Sequence, residues 1–288
     1  MDTYAEIVYV ADYFAKDVTG GAELTSDAIL QKCPYPCKSF YSSSLTKEDI
    51  DANKDSFWVF GNASGVKDNV LLYAAKHLNY GVLEYDYKYC KYRSPDKHIF
   101  FEKECNCQEQ SRGKITSVFF SKAKSLWFMS AKQKEHYESM FPFLKKQNSF
   151  VLSSVFDDKT LDILKKIKIE KNNKWLIVSS GSWIKGTKDA IEHAEKNNLE
   201  YFLAENLPYR EMLVALASSK GLIFLPTGKD TCPRLVIEAK LLDCELIINN
   251  NVQHTTEEWF NDKKIMFDYL ASRPQFFWDE IKEGLADV

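Results

Sequence analysis

Short apolar blocks recur along the chain, each followed by a stretch whose apolar positions fall at helical spacing. Ile7-Val-Tyr-Val-Ala11 reads as a buried strand, and residues 22–30 carry Leu24, Ala28 and Ile29 on one helical face. Phe57-Trp-Val-Phe60 predicts a second strand that ends at Gly61-Asn62. A helix over 69–78 and a strand over 81–85 follow, and then residues 86–113 show no period and are rich in Tyr, Cys and charge. Ser125-Leu-Trp-Phe-Met129 predicts a strand, and Ser130 is placed to cap a helix that runs to about Met140, where Pro142 stops it. The pattern then starts again. Strands are predicted over 151–155, 174–179, 201–204, 221–225 and 245–248, with helices over 158–168, 187–196, 210–218, 235–242, 257–260 and 275–283.

Strands alternating with helices, with few hairpin signals, indicate parallel sheets covered on both faces. The two series meet near residues 148–154, so the expected fold class is α/β, with two Rossmann-like doubly wound domains. Residues 1–150 are expected to form the N-terminal domain, with a C-terminal helix at 274–288 packing back on it, and 151–273 the C-terminal one. In such domains the loops at the strand carboxyl ends surround a crevice. Two crevices facing across a cleft would bury a ligand.

Composition narrows the class. The chain has 288 residues, 45% apolar and 27% charged, which suits globular domains with sizeable cores. No apolar run approaches the roughly 20 residues of a membrane helix. The opening Met1-Asp-Thr-Tyr-Ala-Glu6 lacks the basic and apolar regions of a signal peptide. Seven cysteines, an odd number, then suggest free thiols and a cytoplasmic location. The net charge of −3 argues against a nucleic-acid binder held by global charge. One stretch departs from this, since residues 112–134 hold six basic side chains and no acidic one. It reads either as a solvated face or as a patch for an acidic acceptor or a membrane surface.

Cys90, His98, Cys105 and Cys107 fall within 18 residues. Three thiols and an imidazole suit a structural zinc in composition, but the spacing is not that of a familiar ribbon or finger. Unpaired cysteines are the leading reading and structural zinc the alternative.

Three segments carry further chemistry. Gly20-Gly21-Ala-Glu23 lies between the first strand and its helix, where glycines allow close backbone approach and the helix start offers N–H groups to an anion. A plain strand-to-helix turn fits it equally well. Ser179-Ser-Gly181-Ser-Trp-Ile-Lys185-Gly186 follows a strong strand, and a lysine at such a turn can meet a diphosphate as a point charge. The third segment runs Leu225-Pro-Thr-Gly-Lys-Asp230-Thr231-Cys232-Pro233-Arg234-Leu235-Val-Ile-Glu238, then through an apolar helix to the strand at 245–248. A carboxylate on that helix needs a partner, because a buried unpaired charge is costly. Sugar hydroxyls would serve, as would a structural salt bridge.

In order along the chain, these segments resemble the retaining, nucleotide-sugar-dependent glycosyltransferases of the GT-B fold. The group resembled is the one bearing a Glu-x7-Glu motif, the group 1 glycosyl transferases. The resemblance implies a metal-independent hexosyl- or pentosyltransferase that needs no cofactor. Its donor would be a UDP- or GDP-sugar, and its acceptor a glycan, a lipid-linked sugar or a small molecule. It implies that Glu238 binds the ribose hydroxyls and that Asp230 stands beside the donor sugar. Thr231, Cys232, Pro233, Arg234 and Leu235 would offer backbone amides. Lys185, flanked by Gly181 and Gly186, would neutralise the diphosphate, and Gly20 and Gly21 would close over it. Glu84 and Asp86 fall where the family places polar residues toward the reaction centre. The chain departs from the family pattern at Asp230, where the family has Glu, and at Ser182, near the place of an arginine. It departs again at Asp243-Cys-Glu-Leu, where the family has a Gly-x-Pro-Val-type turn, and in its shorter length. Two alternatives stand beside this reading. One is transfer to modified DNA touched by residues 112–134, and the other is a non-catalytic sugar-nucleotide or glycan-binding protein.

Overall fold

The computed structural model describes residues 6–286. Residues 1–5, which hold most of the stretch read for a signal peptide, lie outside the described residues, as do the last two of the C-terminal helix expected at 274–288. The chain divides into two compact units. Described residues up to Val155, together with those from Ser272 onward, form unit 1, and Phe156–Ala271 form unit 2.

Unit 1 runs β1 (Ile7–Ala11), α1 (Gly21–Gln31), β2 (Cys37–Tyr41), α2 (Lys47–Ala52), β3 (Phe57–Phe60), α3 (Asp68–His77), β4 (Asn79–Glu84), α4 (Pro95–Glu102), α5 (Ser111–Lys122), β5 (Ser125–Phe128), α6 (Ala131–Met140) and β6 (Ser149–Val151). Its strands form one parallel sheet in the order β2-β1-β3-β4-β5-β6. Strands buried on both faces need no alternation, and β1, β3 and β5 are buried at every position. Val8, Val10, Trp58, Phe60, Tyr80, Val82 and Phe128 belong to one core cluster, joined by Phe119 and Phe120 of α5 and Tyr137 of α6. Ser130 caps α6, accepting from the Gln133 N–H at 3.2 Å.

Unit 2 runs α7 (Asp158–Lys166), β7 (Trp175–Val178), α8 (Thr187–Lys196), β8 (Tyr201–Ala204), α9 (Tyr209–Ser218), β9 (Gly221–Phe224), α10 (Arg234–Leu241) and β10 (Glu245–Ile248). Its parallel sheet has the order β10-β9-β7-β8. Trp175, Ile177 and Ile223 pack with Ala190 and Ala194 of α8. The last helix, α11 (Lys263–Ala286), begins in unit 2 and ends in unit 1. Within unit 1 its Trp278 indole donates to the Ile29 carbonyl at 2.9 Å, and Phe277 lies 4.5 Å from the Trp127 ring.

Both sheets place the first strand beside the third, with the second strand on the opposite side. The chain therefore reverses direction across each sheet, between β1 and β3 in unit 1 and between β7 and β9 in unit 2. Loops at the carboxyl ends of such strand pairs are where open α/β sheets bind ligands.

Several elements differ from the sequence-based expectation, among them the short helices α2 and α4, for which no period was read. β2 carries no apolar run because it is an edge strand, exposed at four of its five positions. α5 lies inside the basic stretch and has only a weak apolar stripe, yet its Phe119 and Phe120 are buried. The strand expected over 151–155 ends at Val151, and Ser153 then takes a φ of 68°. The two helices expected after residue 256 are a single-turn 3-10 segment at Glu258–Phe260 and the 24-residue α11, which accommodates Pro274 in its interior.

Candidate functional site

In unit 2 the two loops at the reversal point are tied to each other. After β7 the chain makes a 3-10 turn over Trp183–Lys185 and ends it at Gly186 with a φ of 62°. A Cβ at Gly186 would stand 1.8 Å from the Leu225 carbonyl oxygen, so only glycine allows the loop after β7 to lie against the loop after β9. The Thr227 N–H donates to the Ile184 carbonyl at 3.0 Å and joins the same two loops. Asp230 is fixed by its backbone, which donates to Asn251 at 2.9 Å and accepts from Gln253 at 3.0 Å. The Lys185 ammonium then meets the Asp230 carboxylate at 2.8 Å. The lysine side chain keeps 39% of its surface and the aspartate 12%. Gly181 has no atom near a notional Cβ and is under no steric demand.

Pro233 precedes α10, and Thr231, Cys232 and Arg234 are buried beside it while Leu235 is half-buried. Glu238, one turn into α10, is 2% exposed. The Tyr209 hydroxyl of α9 donates to its Oε1 at 2.7 Å, and Arg234 Nε lies 3.4 Å from the same oxygen. Burial raises the Glu238 carboxyl above the usual range, and Arg234 and Tyr209 offset only part of that. The Arg234 guanidinium rests 3.8 Å from the centre of the Phe156 ring. The carboxylate that the sequence leaves in need of a partner thus has two, Arg234 one turn back on the same helix and a tyrosine 29 residues away that no local pattern identifies.

In unit 1 Gly20 is the residue before α1, and a Cβ there would stand 2.3 Å from Glu23 Oε2. The Glu23 carboxyl therefore folds back over the helix start at Gly20-Gly21 and is itself raised by burial. Glu84, at the end of β4, is 1% exposed and fully engaged. It accepts from Lys88 Nζ at 2.9 Å, from the Lys88 N–H at 3.0 Å and from the Tyr137 hydroxyl at 2.9 Å. Asp86 keeps 25% of its side-chain surface and accepts from Arg93 Nε at 2.7 Å.

Arg93 gathers a cluster that the sequence reading missed. Its Nη1 donates to Ser64 at 2.9 Å and its Nη2 to Asn62 at 2.6 Å, with Asp12 Oδ2 at 3.6 Å. Asp12 directly follows β1 and also accepts from Ser42, from Ser64 at 2.5 Å and from the Gly65 N–H at 2.9 Å. Burial alone would raise the Asp12 carboxyl, but these hydrogen bonds outweigh it and hold it below the ordinary range. Asp12 and Ser64 each stand just past a strand at the reversal point, and that position was a usable signal. Arg93, in an aperiodic segment, gave none. A small cavity of about 50 Å³ lies nearby, lined by Glu84, Lys88, Arg112 and Phe119 among others.

Of the basic stretch, Arg112 donates to the Lys88 carbonyl at 2.7 Å and Lys134 pairs with Glu138 at 2.8 Å. The single Asp-x-Asp spacing in the sequence, Asp49 and Asp51, lies in α2, where Asp49 accepts from the Thr46 N–H of a capping box and Asp51 from the Tyr73 hydroxyl. Cys90, His98, Cys105 and Cys107 come together in unit 1, with their ligand atoms all within 4.8 Å of one another. Among the described residues no helix is long and apolar enough to cross a membrane.

No known family model matches the chain, and no curated protein does. Solved structures do match. The Anabaena protein Alr3699/HepE, solved in complex with UDP and glucose, is 11% identical, with a TM-score of 0.58 over 99% of this chain and 100% of that one. The N-terminal domain of Candida albicans trehalose-6-phosphate phosphatase is 8% identical, with a TM-score of 0.57 over 98% and 97%. A chain of the GtfA/B complex is 12% identical, with a TM-score of 0.51, and this chain covers 58% of its length while 81% of this chain is matched. The likeness establishes the fold as that of GT-B proteins, α/β with two parallel Rossmann-like sheets.

Proposed function

We propose that this chain is a glycosyltransferase that moves a sugar from a UDP-sugar to an acceptor hydroxyl, with unit 2 holding the donor nucleotide. The observation that carries this reading is the Lys185–Asp230 pair on the loops after β7 and β9, at the reversal point of the unit 2 sheet. An ammonium with 39% of its side-chain surface exposed is available to a diphosphate. As the leaving diphosphate gains charge, Lys185 and the backbone N–H groups of Thr231, Cys232, Arg234 and Leu235 stabilise it, while Asp230 stands by the donor sugar. Glu238 exchanges its Tyr209 hydrogen bond for the ribose hydroxyls. With Lys185 in this role the reaction needs no metal, and attack on the face the diphosphate leaves retains configuration. Within unit 1, Asp86 with Arg93 and Asp12 serves the acceptor. The UDP and UDP-glucose bound by HepE favour uridine over guanosine as the donor base.

A melting-temperature screen of the whole chain with UDP, GDP and their sugars tests the reading. Ligand at a hundredfold excess over Kd stabilises by about 2.7 kcal/mol. Stabilisation by UDP and release of UDP from a UDP-sugar are expected. Melting unchanged by every nucleotide would sink the reading. UDP binding with no turnover toward any acceptor or water would leave a non-catalytic nucleotide-sugar binder.

A further inference from the structure

Between β4 and α5 the chain covers 26 residues with only one short helix and one 3-10 turn of its own. Within that segment four metal-ligating side chains converge. Cys90 and Cys107 are buried at 0% and 4% exposure, His98 on α4 is 4% exposed, and Cys105 is half-buried. His98 Nδ1 lies 3.5 Å from Cys90 Sγ and 3.3 Å from Cys107 Sγ, and Cys90 Sγ lies 3.7 Å from Cys105 Sγ.

These three separations lie close to edges of a coordination tetrahedron, and all four ligand atoms fall within 4.8 Å of one another. Zinc bonds of about 2.3 Å to sulphur and about 2.0 Å to nitrogen leave S···S edges of about 3.8 Å and S···N edges of about 3.5 Å. The imidazole also has the support that metal-bound histidines receive. Its other nitrogen, Nε2, meets Glu102 Oε2 at 3.0 Å one helical turn away, which fixes Nδ1 as the atom facing the sulphurs. Glu102 is held in turn by Lys91 at 2.6 Å and by the Tyr92 hydroxyl at 2.8 Å.

We propose that Cys90, His98, Cys105 and Cys107 form a structural zinc site of the Cys3His type that anchors the segment between β4 and α5. Three thiolates and an imidazole, with Cys90, His98 and Cys107 buried, suit zinc among the common divalent ions. A disulfide would join only two of the three sulphurs and would leave the third thiol and the histidine unexplained. The site also bears on unit 1's polar cluster. Arg93, which holds Asp86, Ser64 and Asn62, lies between Cys90 and His98 in the chain, so an ion on those two residues fixes the turn that carries it.

Elemental analysis of the full chain, expressed in zinc-replete medium and freed of loose metal by gel filtration, tests the site. Zinc near one ion per chain is expected, and in His98→Ala and Cys107→Ala the signal should fall to background. Replacement with cobalt(II) should give the ligand-field bands of a tetrahedral site and a thiolate-to-metal charge-transfer band. Glu102→Gln should keep the cobalt spectrum while weakening metal affinity by about tenfold or more. If the alanine variants do not fold, the cobalt spectrum of the unaltered chain still decides. A chain that carries no zinc and develops no tetrahedral cobalt spectrum would overturn the proposal, as would a Cys90–Cys105 disulfide in peptides from the purified protein.

Discussion

Lys185 and Asp230 form an ion pair that does little for stability. Exposed pairs contribute roughly 0–1 kcal/mol, and the lysine keeps 39% of its side-chain surface. Lys185→Ala should therefore leave the melting temperature almost unchanged. If the lysine meets the diphosphate, the same variant should lower turnover of UDP-sugar by on the order of 100 to 1,000-fold while UDP affinity falls far less. Lys185→Arg should recover only part of the rate, because a planar fork does not replace a compact ammonium. Initial rates of UDP release, set against calorimetric UDP affinity, separate the two effects, and a normal rate in Lys185→Ala would make the lysine a bystander.

His254 is a residue of the opposite kind. It is fully buried, stacked on Trp259 with ring centres 5.6 Å apart, and among the described residues neither ring nitrogen has a hydrogen-bond partner. Burial, with the nearby Lys240 charge, lowers its pKa from 6.5 to about 3. Between those values the unfolded chain takes up a proton that the folded chain refuses. Stability is therefore full above pH 6.5 and falls as pH drops through the window, by on the order of 1 kcal/mol per pH unit. Melting curves at pH 7 and pH 5 should show a larger loss for the unaltered protein than for His254→Phe. Equal losses in the two proteins would show that His254 is not the group responsible.

At the scale of elements, the loops after β7 and β9 depend on one glycine. Gly186→Ala puts a methyl group 1.8 Å from the Leu225 carbonyl oxygen on a residue with a φ of 62°. The strained backbone alone costs on the order of 1–3 kcal/mol, and relief of the clash separates the two loops. Chemical denaturation should report that loss, and UDP binding should weaken with it. Gly181→Ala, where a Cβ meets nothing, is the matched control and should behave as the unaltered chain.

At the scale of the whole molecule, unit 1 is discontinuous. It takes the end of α11 as one of its own parts. Arg273 donates to the Val151 and Leu152 carbonyls at 2.9 and 3.1 Å, and Phe277, Trp278 and Ile281 are buried at 1% exposure or less. Burial of each large apolar side chain contributes about 1.5–3 kcal/mol, and a domain's net stability is only about 5–15 kcal/mol. A chain ending at residue 271 should therefore lose the folded state of unit 1 rather than a frayed end. Near-ultraviolet dichroism and dye binding to exposed apolar surface would show it. An unchanged aromatic signal would mean that unit 1 stands without the helix.

Apolar periodicity by itself determined the alternation of strands and helices and hence the α/β class, because parallel strands buried on both faces read as short unbroken apolar runs. It also placed Lys185, Asp230 and Glu238 at the carboxyl ends of strands or on the helix beyond, since motif spacing and strand ends are local properties. It did not identify β2, whose edge position leaves its side chains in water, or α5, whose buried face is two phenylalanines in a polar helix. Only the tertiary structure decided which side chains meet. Tyr209 reaches Glu238 from another helix, and Arg93 collects Asp86, Ser64 and Asn62 from two loops. Four ligands at an unfamiliar spacing close to within 4.8 Å. Contacts between residues far apart in sequence depend on how the elements pack, and no local period records that.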